Sequence, residues 1–166
     1  MKKVILAIIL AVSVTGTYAQ KKNVTKAKNK ALMETPDFKG AREDIKPALT
    51  DSTTRNQALT WYVAGTIGYK ENEAELKKQM LGQKFDTELK GKAVMESYEY
   101  FLKAYELDGL PDAKGKIKPK FQKDIKAKIK EYYTSQANLV AYGAYLFEKK
   151  DYPATVKVFE TYLRSE

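Results

Sequence analysis

Trp61-Tyr62-Val63-Ala64-Gly65-Thr66-Ile67-Gly68-Tyr69 is the stretch whose reading decides the fold. Trp61, Ala64, Gly65, Gly68 and Tyr69 recur at i, i+3, i+4, i+7 and i+8, one stripe of a helix. A bulky aromatic stands at each end of the stripe, with small residues between. Each glycine inside a helix costs about 1 kcal/mol relative to alanine, so two in one helix require a second helix lying directly over them. The spacing predicts an all-α chain built from paired helices, with Trp61 in the core.

Outward from this stripe the same pattern repeats. Asn23 to Glu34 reads as a lysine-rich helix with Val24, Ala27, Ala31 and Leu32 as a thin apolar stripe. Thr35-Pro36-Asp37 breaks it, and Phe38, Ala41, Ile45, Ala48 and Leu49 continue at helical spacing, with Pro47 expected to bend or shorten that helix. Asn56 to Lys70 is the Trp61 helix. Glu71 to Lys90 reads as an insertion of one or two short helices interrupted at Gly82. Ala93 to Asp108 is amphipathic and ends at Gly109 and Pro111. Asp112 to Lys130 is a lysine run. Its first half reads as a loop and its second as a helix with Phe121, Ile125, Ile129 and Tyr132 on one face. Thr134 or Ser135 is expected to cap a helix reaching about Lys149. Pro153 fits a first helical position, and Val158, Phe159, Tyr162 and Leu163 mark the last apolar stripe.

Composition narrows the chemistry. The 166 residues suit one domain with a real core. Cysteine and histidine are both missing, which removes thiol chemistry, the commonest general base and the commonest transition-metal ligand. No phosphate-binding glycine loop occurs. The expectation is a protein that is not an enzyme and has no cofactor and no metal. Of the 30 basic residues only Arg42, Arg55 and Arg164 are arginine, and the formal charge is +9. Lysine is a hydrated point charge and arginine the usual bidentate reader of phosphate and bases, so no specific nucleic-acid partner is expected. Glu71, Glu73 and Glu75 read as a solvated helix start. Lys2 and Lys3 before the apolar run Val4 to Val14, then Thr17-Tyr18-Ala19, have the layout of a secretory signal peptide over 1–19. That implies export to a bacterial periplasm or cell surface, with no stable membrane span after cleavage.

Three helix-turn-helix units overlay on one another. Leu139, Gly143 and Phe147 lead to Asp151-Tyr152, Phe159 and Tyr162; Trp61, Ala64 and Gly65 lead to Ser97, Phe101 and Ala104, then Pro111; Asp37-Phe38 lead to Ala41, Ile45 and Ala48. The chain resembles the tetratricopeptide repeat family in these residues, with units of about 22–53, 56–111 (inserted residues 71–90) and 118–166. It is also similar to exported proteins of Gram-negative bacteria that carry such a helical insertion.

The resemblance implies a non-catalytic scaffold that binds a protein or peptide in a concave groove. On it, Tyr62, Thr66 and Tyr69 of the middle unit and Val140, Ala144 and Phe147 of the last face that groove. These six positions lack the lysine and asparagine of the family's carboxylate clamp, so the groove reads as apolar and aromatic. The alternative is a basic adaptor on an anionic envelope polymer or membrane surface, using Lys116, Lys118, Lys120, Lys123, Lys126 and Lys130. The apolar last helix suggests self-association, or further repeats beyond it.

Overall fold

The structure is a computed structural model that describes residues 20–134 and 138–165. The leader-like segment 1–19 and the cap expected at Ser135 lie outside the described residues. Among the described residues there are seven α-helices and no strand. None of these helices is long and apolar enough to cross a membrane.

Helix α1 (residues 20–32) buries Val24, Ala27 and Ala31 on one stripe and leaves Leu32 exposed. Asp37 then caps α2 (Phe38–Thr50), accepting from the Gly40 N–H at 2.8 Å. This satisfies one of the orphan donors of the first turn. Pro47 falls in the last turn of α2 and the helix ends three residues later. α2 lays Ala41, Ile45 and Ala48 against α1 and against Val63, Ala64 and Ile67 of the next helix, forming the first of two core clusters.

Helix α3 (Ala58–Met80) departs from the expected length: it runs ten residues beyond Lys70, through the stretch read as an insertion. Its partner α4 (Thr87–Asp108) likewise begins before Ala93. The inserted residues lengthen the two arms of one hairpin, and the full arms, of 23 and 22 residues, are about 33–35 Å long at 1.5 Å per residue. They break, as the sequence suggested, at Gly82, whose φ of +67° suits glycine. Glu71 and Glu75 are buried in the middle of α3, so the solvated-helix-start reading of the acidic group fails. Arg42 pairs with Glu71 at 2.5 Å, and the Asp86 N–H donates to Glu75 at 2.8 Å, which makes that burial tolerable.

The two helices of the hairpin meet at the small stripe. A Cβ at Gly65 would lie 2.6 Å from the Phe101 ring, and one at Gly68 would lie 2.7 Å from the Ala93 carbonyl oxygen. Phe101 is fully buried there, which contributes about 1.5–3 kcal/mol. Trp61 departs from the core reading. It is half-buried at the hairpin's end, tilted against Tyr100 at 5.6 Å, with its indole N–H donating to the Arg55 carbonyl at 2.6 Å.

From Gly109 to Phe121 the chain loops and returns to its starting point. The Asp108 carboxylate accepts from the N–H groups of Lys120, Phe121 and Gln122 at 2.8, 2.6 and 3.0 Å. It thereby caps α5 (Gln122–Lys128), whose own N-cap side chain offers no acceptor. α5 passes into a π-helical turn, Ile129–Thr134. That turn aims two successive tyrosines inward: the Tyr132 hydroxyl donates to Asn72 and the Tyr133 hydroxyl bonds Ser97. α6 (Asn138–Glu148) and α7 (Tyr152–Ser165) close the chain as a second hairpin. Asp151 caps α7, so Pro153 is its second residue and not its first. α6 packs on α4 closely enough that a Cβ at Gly91 would strike the Tyr142 ring. The second core cluster joins α4, α5, the π-turn, α6 and α7. α3 thus lies between two interiors, giving Val63, Ala64 and Ile67 to one and the rings of Tyr62 and Tyr69 to the other.

Candidate functional site

Because α3 has a core on either side, one strip of its surface is left between α1 and α5. Tyr62, Thr66 and Tyr69 lie on this strip, one helical turn apart. Lys28 and Leu32 approach from α1, and Lys128 from α5. With Val63 and Lys70 they enclose a cleft of about 270 Å³. That is just under the size of a small-molecule pocket, and fits one large side chain.

The aromatic floor is held rigidly. Tyr62 stacks on Phe121 at 4.4 Å between centroids, and its hydroxyl donates to Asp124 at 2.8 Å. Burial first, and then the Asp124 carboxylate, push the Tyr62 phenol up to about 12. Burial of Asp124 would raise its carboxyl, but the hydrogen bonds from Lys128 and Tyr62 outweigh it and hold the group below the usual carboxylate range. Tyr69 rests on Tyr132 at 4.5 Å. The ammonium groups of Lys70 and Lys128 stand 5.5 and 5.2 Å from its ring centroid, within cation–π range. Burial, then the negative charge of Glu73, raise the Tyr69 phenol further than that of Tyr62. Both phenols are therefore neutral donors at ordinary pH. The Thr66 hydroxyl is used internally, donating to the Tyr62 carbonyl at 2.8 Å.

The rim is cationic. Lys128 is paired with Asp124 at 2.6 Å and Lys70 with Glu73 at 2.6 Å. Lys28 is exposed on α1. An incoming carboxylate would meet the Lys28 ammonium group and, beside the aromatic floor, two lysines whose charge Glu73 and Asp124 already offset. Those two lysines are positioned in advance by their partners.

The six residues expected to share one groove fall on two surfaces. Tyr62, Thr66 and Tyr69 line the cleft. Val140, Ala144 and Phe147 are exposed on α6, whose neighbours are α4, α7 and the π-turn, and they do not line it. The π-turn and α5 take the place beside α3 that the repeat reading gave to α6. Lys116, Lys118, Lys120, Lys123, Lys126 and Lys130 are all exposed, on the loop, on α5 and on the π-turn, with Lys126 5.6 Å from the Tyr105 ring. Sequence reasoning missed Lys28 and Lys128 as cleft residues. For Lys128 a signal existed: it follows the buried Ile125 by three residues and Asp124 by four, the inner side of α5. For Lys28 the sequence carries no comparable signal.

Among the described residues no cluster of acidic side chains has the makings of a metal site. Comparison of the chain with models of known families, with curated proteins and with solved structures gives no match.

Proposed function

We propose that the protein is a non-catalytic binding scaffold that anchors an acidic peptide segment of a partner protein in the cleft over α3. The observation that carries this reading is the Tyr69 ring, flanked by Lys70 and Lys128 inside a cleft large enough for one side chain. An apolar or aromatic side chain of the partner would rest on Tyr62 and Tyr69, and a neighbouring carboxylate on the lysines. The stacking of helical hairpins around shared interiors supports a tetratricopeptide-like repeat scaffold with one lengthened hairpin. The lack of histidine and cysteine supports a binding role over a catalytic one. The leader-like composition of 1–19 supports a place in the envelope of a Gram-negative bacterium.

The test is a titration of the full chain with a synthetic peptide of alternating glutamate and leucine, followed by fluorescence. Lys28→Glu should weaken binding about tenfold, and a peptide with lysine replacing glutamate should recover affinity for that variant. Equal binding by both proteins, or no binding by the wild type, sinks the assignment. A second reading rests on the exposed lysines from Lys116 to Lys130: adhesion to an anionic polymer or membrane surface. It requires retention on anionic vesicles that falls steeply with added salt, and unchanged retention in Lys28→Glu.

A further inference from the structure

We propose that two copies of this chain associate through the outer face of the α6–α7 hairpin, forming a four-helix bundle with two-fold symmetry. This face is separate from the α3 cleft, and the proposal does not depend on the cleft's function.

The face is built from both helices. Val140, Ala144 and Phe147 recur at i, i+4 and i+7 along α6, and Tyr152, Val156, Phe159 and Leu163 at i, i+4, i+7 and i+11 along α7. Leu139, Tyr142 and Leu146 of α6 and Val158 of α7 point the other way, into the core. Two contacts show that the outward stripes are one surface. Phe147 and Tyr152 meet edge to face at 5.7 Å, and the Phe159 ring lies over Gly143, where a Cβ would be 2.7 Å away. The stripes therefore border a shared seam between the helices.

Side chains on this seam are open to water. Phe147 is 60% exposed, Tyr152 53%, Val156 55% and Leu163 68%. With the more covered Val140 and Phe159 they leave roughly 500 Å² of apolar side chain in water, taking ~150–250 Å² for each whole aromatic. A patch of about 500 Å² is as large as the largest one on a typical monomer, which is often a functional surface. Two such faces together bury about 1,000 Å², the threshold for a specific interface.

The spacing selects a second copy as the occupant. Tyr152, Val156, Phe159 and Leu163 follow the alternating four-three-four step of a coiled-coil seam. Run antiparallel against itself about a point between Lys157 and Val158, this stripe sets Tyr152 against Leu163 of the second copy and Val156 against its Phe159. Every position meets an apolar side chain. No charged residue occupies the four seam positions. A face that is complementary to itself is what a closed two-fold contact needs.

Light scattering and sedimentation equilibrium of the full chain test this. The expected mass is twice 18.8 kDa, falling to one chain on dilution. Val156→Glu with Leu163→Glu places unpaired charges in the seam and should raise the dissociation constant at least ~100-fold. The circular dichroism spectrum should stay unchanged, because both positions are open in the single chain. Leu163→Gln gives the same readout at the most exposed position, should the double variant lose helicity. Lys118→Glu, on the loop before α5, should leave the dimer intact. A wild-type mass of one chain at every concentration overturns the proposal. So does a mass that grows past two chains, which would mean open-ended stacking, and so does a double variant that is folded and still dimeric.

Discussion

Gly68 touches Ala93 through the backbone: a Cβ built on Gly68 would sit 2.7 Å from the Ala93 carbonyl oxygen. The corresponding neighbour of Gly65 is the Phe101 ring, at 2.6 Å. A ring can tilt, but a carbonyl inside a helix moves only with its helix. Gly68→Ala is therefore expected to destabilise the fold by about 2–3 kcal/mol and Gly65→Ala by about 1–2 kcal/mol, although alanine is by propensity the better helix former. Urea unfolding followed by circular dichroism measures both. The opposite order would mean that the hairpin is held by side chains and not by backbone contact.

Arg42 ties the first hairpin to the second. Its guanidinium donates to Glu71 of α3 and to Glu96 of α4. Burial acts to lower its pKa, and the bonds to both carboxylates more than restore it. Arg42→Ala leaves Glu71 buried with a charge and no partner. The expected cost is about 2–3 kcal/mol, below that of a fully enclosed pair because Arg42 keeps part of its surface in water. Adding Glu71→Ala should recover much of the loss, and a double-mutant cycle on thermal unfolding reads the coupling.

The helices were legible in the sequence wherever one face was apolar throughout, as with Val24, Ala27 and Ala31 of α1 or Phe121, Ile125 and Tyr132 of α5 and its π-turn. So was the contact at Gly65 and Gly68, because glycines one turn apart weaken a helix unless a second helix packs closely over them. The far half of α3 was not. Glu71 and Glu75 read as solvent-facing, and their burial rests on Lys78 of the same helix and on two partners elsewhere in the chain, Arg42 on α2 and the Asp86 N–H. Half of the cleft was legible because Tyr62, Thr66 and Tyr69 share one helix and one face. Its lysines come from α1, α3 and α5, and a pattern along one helix cannot say which helix lies next to it. The placing of α6 failed on that point. Val140, Ala144 and Phe147 do form a face, as their spacing implies, but α5 and the π-turn occupy the place beside α3.

Alkali should unfold the protein in step with ionisation of its tyrosines. Tyr62 and Tyr100 are pushed up to about 12, chiefly by burial. Burial also raises Tyr69, Tyr132 and Tyr133. In the unfolded chain these phenols ionise near ~10. A group whose pKa is raised on folding contributes stability that is present below its unfolded value and lost as pH rises through its folded one. The loss should therefore begin near pH ~10 and be steep by about 12. The part of the tyrosinate absorbance that comes from these buried rings should appear together with the loss of the circular dichroism signal. Tyrosine ionisation complete near pH ~10 with the helices intact would show that these rings are not enclosed.

Lys150 is the one non-glycine residue with positive φ among the described residues, at 62°. It ends α6 in a tight reversal, in which the Lys150 N–H donates to Phe147 at 2.9 Å and the Asp151 N–H reaches back to Leu146 at 3.0 Å. Such a reversal favours glycine, because a Cβ in the left-handed region costs about 1–2 kcal/mol. Lys150→Gly removes that strain but gives the unfolded chain more freedom, which takes back about 0.5–1 kcal/mol. The net expectation is a gain of about 0.5–1 kcal/mol, or a rise in Tm of about 1–4 °C for a chain of this size. Gly82 offers the converse. It also has positive φ, with nothing near its missing Cβ, so Gly82→Ala should lower stability by about 1 kcal/mol through backbone strain alone. If both substitutions shift the melting temperature in the same direction, conformational strain is not what governs these two turns.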